Sequence, residues 1–90
     1  MSSTQPRVVV YSAMYCGYCW RARRLLDELG IEHEVRDVTM DFAERRRIAD
    51  ETGHRTVPNI FIDGTSIGGS DDLAALARAG KLDHLRKPAA

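Results

Sequence analysis

The chain has 90 residues, enough for one domain and too few for a second core, so a single unit over 1–90 is expected, with its folded part at about 8–85. Its 13 basic and 13 acidic residues cancel, leaving no global field to draw it to nucleic acid or anionic lipid, and no apolar stretch approaches the length of a membrane span. The opening Met1-Ser-Ser-Thr-Gln-Pro6 is polar and the apolar run after it is too short for a signal peptide, which points to a cytoplasmic location.

The run Val8-Val9-Val10-Tyr11 is β-branched and apolar, and reads as the first strand. Directly after it comes Cys16-Gly17-Tyr18-Cys19, which holds both cysteines of the chain. A helical pattern follows from Trp20: Ala22, Leu25, Leu26 and Leu29 recur at i, i+3, i+4 and i+7, charged residues fill the other faces, and Gly30 is placed to end the helix. Trp20 reads as a helix-surface aromatic. Glu34 to Val38 is a weak strand, after which Phe42, Ile48 and Ala49 mark the inner stripe of a second helix from about Asp41 to Glu51, stopping at Gly53. Asn59-Ile60-Phe61-Ile62 and Thr65-Ser66-Ile67 flank Asp63-Gly64, a pair suited to a type I′ turn with positive φ at both central residues. Gly68-Gly69 breaks the last strand and Ser70 is the expected N-cap of a third helix, with Leu73, Leu76 and Ala77 inward and Gly80 at its end. Lys81 to Leu85 is expected to add a short turn before Pro88. The order β-α-β-α-β-β-α starts with a parallel βαβ unit and finishes with an antiparallel hairpin, so the fold class is α/β with one four-stranded mixed sheet flanked by helices.

Two thiols separated by two residues at a strand-to-helix junction are placed for thiol–disulfide chemistry. The first occupies the helix N-terminus, where unpaired N–H groups and the helix dipole favour a thiolate, and the second lies one turn further on, within reach of the first. In a reducing compartment such a pair is redox-active or metal-binding rather than a structural staple. His33, His54 and His84 show no ligand spacing with each other or with the cysteines, so no mononuclear metal site is expected within one chain.

Three separated motifs, Cys16-Gly17-Tyr18-Cys19, Arg55-Thr56-Val57-Pro58-Asn59 and Gly68-Gly69-Ser70-Asp71-Asp72, resemble those of the glutaredoxins, and the likeness runs from Val8 to Leu85. It implies a thioredoxin-like fold and reduction of protein disulfides and protein–glutathione mixed disulfides, with Cys16 as nucleophile, Cys19 as resolving thiol and Pro58 as a cis-proline facing them. Physical chemistry supports each motif. The kink at Pro58 leaves the Val57 N–H and C=O free to pair with an extended peptide such as glutathione, and Thr56 belongs to the same segment. A helix start at Ser70, Asp71 and Asp72 offers N–H groups to the γ-glutamyl carboxylate and an acidic side chain to its ammonium, while Gly68 and Gly69 admit close approach. Tyr18, an exposed ring between the cysteines, reads as a lip of the substrate groove.

Arg45 falls near the apolar stripe of its helix and must reach outward; its offset from Thr56-Val57-Pro58 resembles the family's contact to the glycine carboxylate of glutathione. Two departures stand out. Ala13 occupies the place of a Lys that many members use for the same carboxylate, which loosens that end of glutathione and leaves room for another small thiol. Gly17 replaces the proline usual in dithiol members. In the family, a non-proline residue there accompanies a [2Fe–2S] cluster held between two chains by the nucleophilic cysteine of each and two glutathiones. The expected partners are therefore glutathione and glutathionylated or disulfide-containing proteins. The chain is expected to be a monomer, or alternatively a homodimeric iron–sulfur carrier with Cys16 as ligand.

Overall fold

Alternation along the first strand, β1 (Val8–Ser12), separates two apolar layers, because successive strand residues point to opposite faces. Residues 7–86 are described in this computed structural model; the readings made on Met1–Pro6 and on Pro88 lie outside them. Val8 and Val10 join Ile60, Ala22, Leu26, Leu73 and Leu82 in the larger core, with Leu25, Leu29, Leu76 and Ala77 packed at its border. Tyr11, on the other face, joins Val38 and Ile48, bordered by Val9, Val57 and Phe61. The Tyr11 and Phe61 rings meet edge to face, with centroids 5.4 Å apart.

The remaining elements are α1 (Gly17–Glu28), β2 (Glu34–Asp37), α2 (Phe42–Thr52), β3 (Asn59–Ile62), β4 (Thr65–Gly68), α3 (Ser70–Arg78) and a 3-10 turn at Asp83–Leu85. The strands lie in the order β2-β1-β3-β4. β1 runs parallel to β2 and antiparallel to β3, and β3 is antiparallel to β4. The mixed α/β sheet expected from the sequence is thus present. Its polarity has a direct consequence for the site. The C-terminal ends of β1, β2 and β4 and the N-terminal end of β3 share one edge of the sheet, with Tyr11 opposite Asn59 there. The cysteine loop, the loop before β3 and the start of α3 are brought together at that edge although the chain separates them widely.

Several boundaries differ from the sequence reading. α1 starts at Gly17 rather than Trp20, because the Cys16 sulfur accepts the Cys19 N–H at 3.1 Å and does the work of an N-cap. α2 is capped by Asp41, whose carboxylate accepts the Glu44 N–H at 3.1 Å, and ends in left-handed Gly53. Phe42 is not part of an inner stripe: it is 66% exposed, since α2 meets the sheet at Ile48 and Phe42 lies more than a turn upstream. Ser70 is not the N-cap of α3. Gly69 holds that position in extended conformation, and Ser70 is buried in the first turn. The hairpin turn matches its reading, with φ of 51° at Asp63 and 83° at Gly64. Arg7 closes it with two 2.8 Å bonds to the Asp63 carboxylate. Among the described residues, no helix is long and apolar enough to cross a membrane.

Candidate active site at the thiol pair and the cis-proline cleft

Cys16 is half-buried and Cys19 fully buried, and both are free thiols. Burial pushes the Cys19 thiol above its ordinary range. Its hydrogen bond with Cys16 acts in the same direction, and the opposing bonds from Ser12 and the Ala13 backbone do not cancel this. Of the two thiols Cys16 is therefore the more accessible, and Cys19 behind it is held toward the protonated form.

Facing Cys16 is the loop from Gly53 to Pro58. The Val57–Pro58 peptide is cis and Pro58 is buried. The Cys16 thiol donates to Val57 O across 3.7 Å, so this carbonyl, expected to be free, is engaged by the thiol itself. The Val57 N–H has no partner among the described residues. A cleft of about 370 Å³ opens beside this loop. Tyr18 lines it from α1, Thr56, Val57 and Pro58 from the loop, and Ser70, Asp71 and Asp72 from the start of α3. At that start, Asp72 Oδ2 accepts the Gly69 N–H at 2.9 Å, which fixes the carboxylate at the cleft wall. Gly68 makes this possible: its φ is +103°, and a Cβ there would lie 2.2 Å from the Asp72 carboxylate.

A glutaredoxin sequence profile matches residues 8–67. The chain is 44% identical over 82 residues to a glutaredoxin of Pseudomonas aeruginosa, a match covering 89% of this chain and 95% of that protein. It is 41% identical over 80 residues to glutaredoxin 3 of Escherichia coli, covering 89% and 96% of the two chains. The chain belongs to the glutaredoxin family. Its structure superposes on that of a buckwheat glutaredoxin–glutathione complex with a TM-score of 0.83 and 40% identity, over 89% of this chain and 76% of the other. It is accordingly a glutaredoxin oxidoreductase with a thioredoxin-like fold and a redox-active cysteine pair.

Not every residue read from the glutaredoxin motifs shares the cleft. Arg45 is half-buried and lines a small neighbouring cavity with Tyr11, Val38 and Ile48, touching the cleft's surroundings only through the shared walls His54, Thr56 and Val57. Trp20 is exposed on α1, with the Arg24 guanidinium 5.2 Å above its ring. Two residues enter the site without having been assigned a part in it. His54 lines the cleft itself, beside Gly69, where close approach was expected. Asn59, only 2% exposed, stands behind it: its amide donates to Thr52 Oγ1 at 3.1 Å and accepts from Ser66 Oγ at 2.8 Å, pinning the end of α2 to the sheet. The sequence signal for Asn59 was its place at the head of an otherwise apolar strand, where a buried polar side chain needs partners. On the far side of Cys16 lies a second groove, lined in part by Met14, Trp20 and Arg23, with a 99% exposed Tyr15 held at φ 58°.

Proposed function

We propose that this glutaredoxin binds glutathione in the cleft between the Thr56–Pro58 segment and the start of α3, and uses Cys16 and Cys19 to reduce glutathionylated and disulfide-bonded proteins. The observation that carries this reading is the cleft's composition, with an unpartnered Val57 N–H and the Ser70–Asp72 helix start gathered beside a thiol that lies 3.7 Å from Val57 O. An extended peptide pairs with the Val57 backbone, the N–H groups of the helix start take its γ-glutamyl carboxylate, and Asp72 takes its ammonium with the oxygen not used by Gly69. The known complex of a related buckwheat glutaredoxin with glutathione supports the choice of ligand. Arg45 is the candidate for the glycine carboxylate at the other end.

The Cys16 thiolate attacks the glutathione sulfur of a protein–glutathione disulfide. That S–S bond breaks, the protein thiolate leaves and takes a proton, and glutathione stays bonded to Cys16. A second glutathione thiolate then attacks the glutathione sulfur, releasing oxidised glutathione and restoring Cys16. With a protein disulfide, Cys16 forms the mixed disulfide and Cys19, having lost its proton, attacks the Cys16 sulfur and frees the reduced protein. Two glutathiones reduce the resulting Cys16–Cys19 bond. A reducing compartment such as the cytoplasm would supply the glutathione.

Asp72→Asn is the cleanest test, since the amide oxygen still accepts from Gly69 while the charge is gone. Asp72→Asn and Arg45→Ala are each expected to weaken glutathione engagement by about 1.5–3 kcal/mol with an unchanged melting temperature. Kinetics against glutathione concentration that match wild type for both variants would place the ligand elsewhere.

A second reading, a [2Fe–2S] cluster bridging two copies, rests on the surroundings of Gly17. Beyond its chain neighbours and its own helix backbone, no atom lies within 4 Å of where a Cβ would stand, Cys16 beside it is half-exposed, and Cys19 is buried behind. One chain therefore presents a single accessible thiolate, Cys16, and two copies with two glutathiones would supply four ligands to a group whose chemistry is one-electron storage and transfer. Anaerobic reconstitution with glutathione is expected to give a brown dimer, and Gly17→Pro, which removes an N–H and fixes φ, is expected to give much less while still reducing disulfides. A wild-type protein that stays colourless and monomeric ends this reading.

A further inference from the structure

His54 follows the left-handed residue that ends α2, and its ring reaches forward to the cleft. Nε2 lies 3.2 Å from Pro58 O and 3.2 Å from Thr56 Oγ1. A carbonyl oxygen only accepts, so the first contact requires a hydrogen on Nε2, which assigns the tautomer. The residue's own backbone is held as well: its N–H donates to Thr52 Oγ1 at 3.1 Å, and its carbonyl accepts from the buried Asn59 amide at 3.5 Å. On the side of α3, a Cβ at Gly69 would stand 3.6 Å from the ring and 3.5 Å from Pro58 O, ordinary contact distances. The imidazole therefore holds one of the backbone segments that line the cleft and faces the other across Gly69.

We propose that His54 is a positioning residue for the glutathione cleft: its Nε2–H holds the Thr56–Pro58 backbone in the conformation that pairs with the ligand. The inference rests on the glutathione reading above. Without the clamp, the loop has to be ordered at the moment of binding, and that ordering is subtracted from affinity. The sulfur chemistry is less affected, because Cys16 caps α1 and Cys19 lies within it, and the thiolate that attacks has no hydrogen to donate to Val57 O.

Two substrates separate these effects: one peptide disulfide-bonded to glutathione, and the same peptide disulfide-bonded to cysteamine, which lacks the γ-glutamyl and glycine groups. At fixed glutathione, His54→Leu is expected to raise KM for the glutathionylated peptide about 3- to 10-fold, the worth of one hydrogen bond, with kcat changed by less than about twofold. The loss on the cysteamine peptide is smaller. His54→Gln, whose amide N–H reaches the same carbonyl, recovers most of the loss. Should His54→Leu prove unfolded by circular dichroism, His54→Asn, whose shorter amide falls short of Pro58 O, takes its place with the same expectation. An unchanged KM, an equal loss on both peptides, or no recovery in a folded His54→Gln protein overturns the proposal. The wild-type preference for the glutathionylated peptide over the cysteamine peptide is measured alongside. Its absence refutes the glutathione reading itself, which is a different result.

Discussion

Replacing Cys16 by serine is expected to abolish turnover on glutathionylated and disulfide substrates alike, by several orders of magnitude, because a hydroxyl at neutral pH is not a nucleophile toward sulfur. Cys19→Ser is expected to behave differently, keeping release of glutathione from a glutathionylated peptide and losing reduction of intramolecular protein disulfides. The asymmetry follows from the structure, in which Cys16 is half-exposed at the N-terminus of α1 while Cys19 is buried, its thiol raised by that burial. The sign sets the chemistry. A raised thiol stays protonated until the pH is higher than usual, so iodoacetamide at neutral pH labels Cys16 well ahead of Cys19 in the reduced protein. Full activity of Cys16→Ser on a glutathionylated peptide, or preferential labelling of Cys19, reverses the assignment.

Leu26→Ala is expected to give the largest loss of stability. The side chain is wholly buried on the inner stripe of α1, among Val8, Val10, Ile60 and Leu73. Truncation removes the transfer free energy of the lost methyl groups and leaves a cavity, together about 2–5 kcal/mol. For a domain of this size each kcal/mol lowers the melting temperature by roughly 4–8 °C, so thermal and denaturant unfolding both report it. A loss below about 1 kcal/mol would mean that the core closes over the gap, and that α1 is held to the sheet mainly by other contacts.

Periodicity and turn chemistry carried most of the fold. The β-branched apolar run of Val8 to Tyr11, the helical stripe from Ala22 to Leu29 and the Asp63-Gly64 turn each state their geometry locally, and the structure agrees with all three. Other features depend on tertiary partners and have no local pattern. The sequence placed Cys16 at the helix N-terminus while the apolar pattern began only at Trp20. Because a cysteine is not among the usual capping residues, the bond from the Cys19 N–H to the Cys16 sulfur that sets the start at Gly17 had no local sign. Ser70 has the chemistry of an N-cap, yet Asp72 reaches back to Gly69 and shifts the boundary by one residue. Phe42 follows the spacing of an inner face but lies beyond the sheet. In the site, the three motifs named most of the cleft wall because each has a recognisable composition. Arg45 was placed by the helical wheel and by a family resemblance, and its position in a neighbouring cavity reflects how α2 crosses the sheet, which no single helix encodes. His54 acts through bonds to Pro58 O and Thr56 Oγ1, and a polar residue in a loop gives no hint of such partners; Asn59 offered only the weaker sign of a polar residue heading an apolar strand.

The sheet that gathers every reactive group at one edge leaves the opposite edge chemically idle. The turn at Asp63 and Gly64 lies there, exposed and closed by Arg7 from the outset of β1. Exposed turns of this kind tolerate inserted sequence better than any other part of a domain. A fluorescent reporter or an affinity handle spliced into this turn would sit a full strand length from the thiols, free to follow the protein through a redox cycle without entering it.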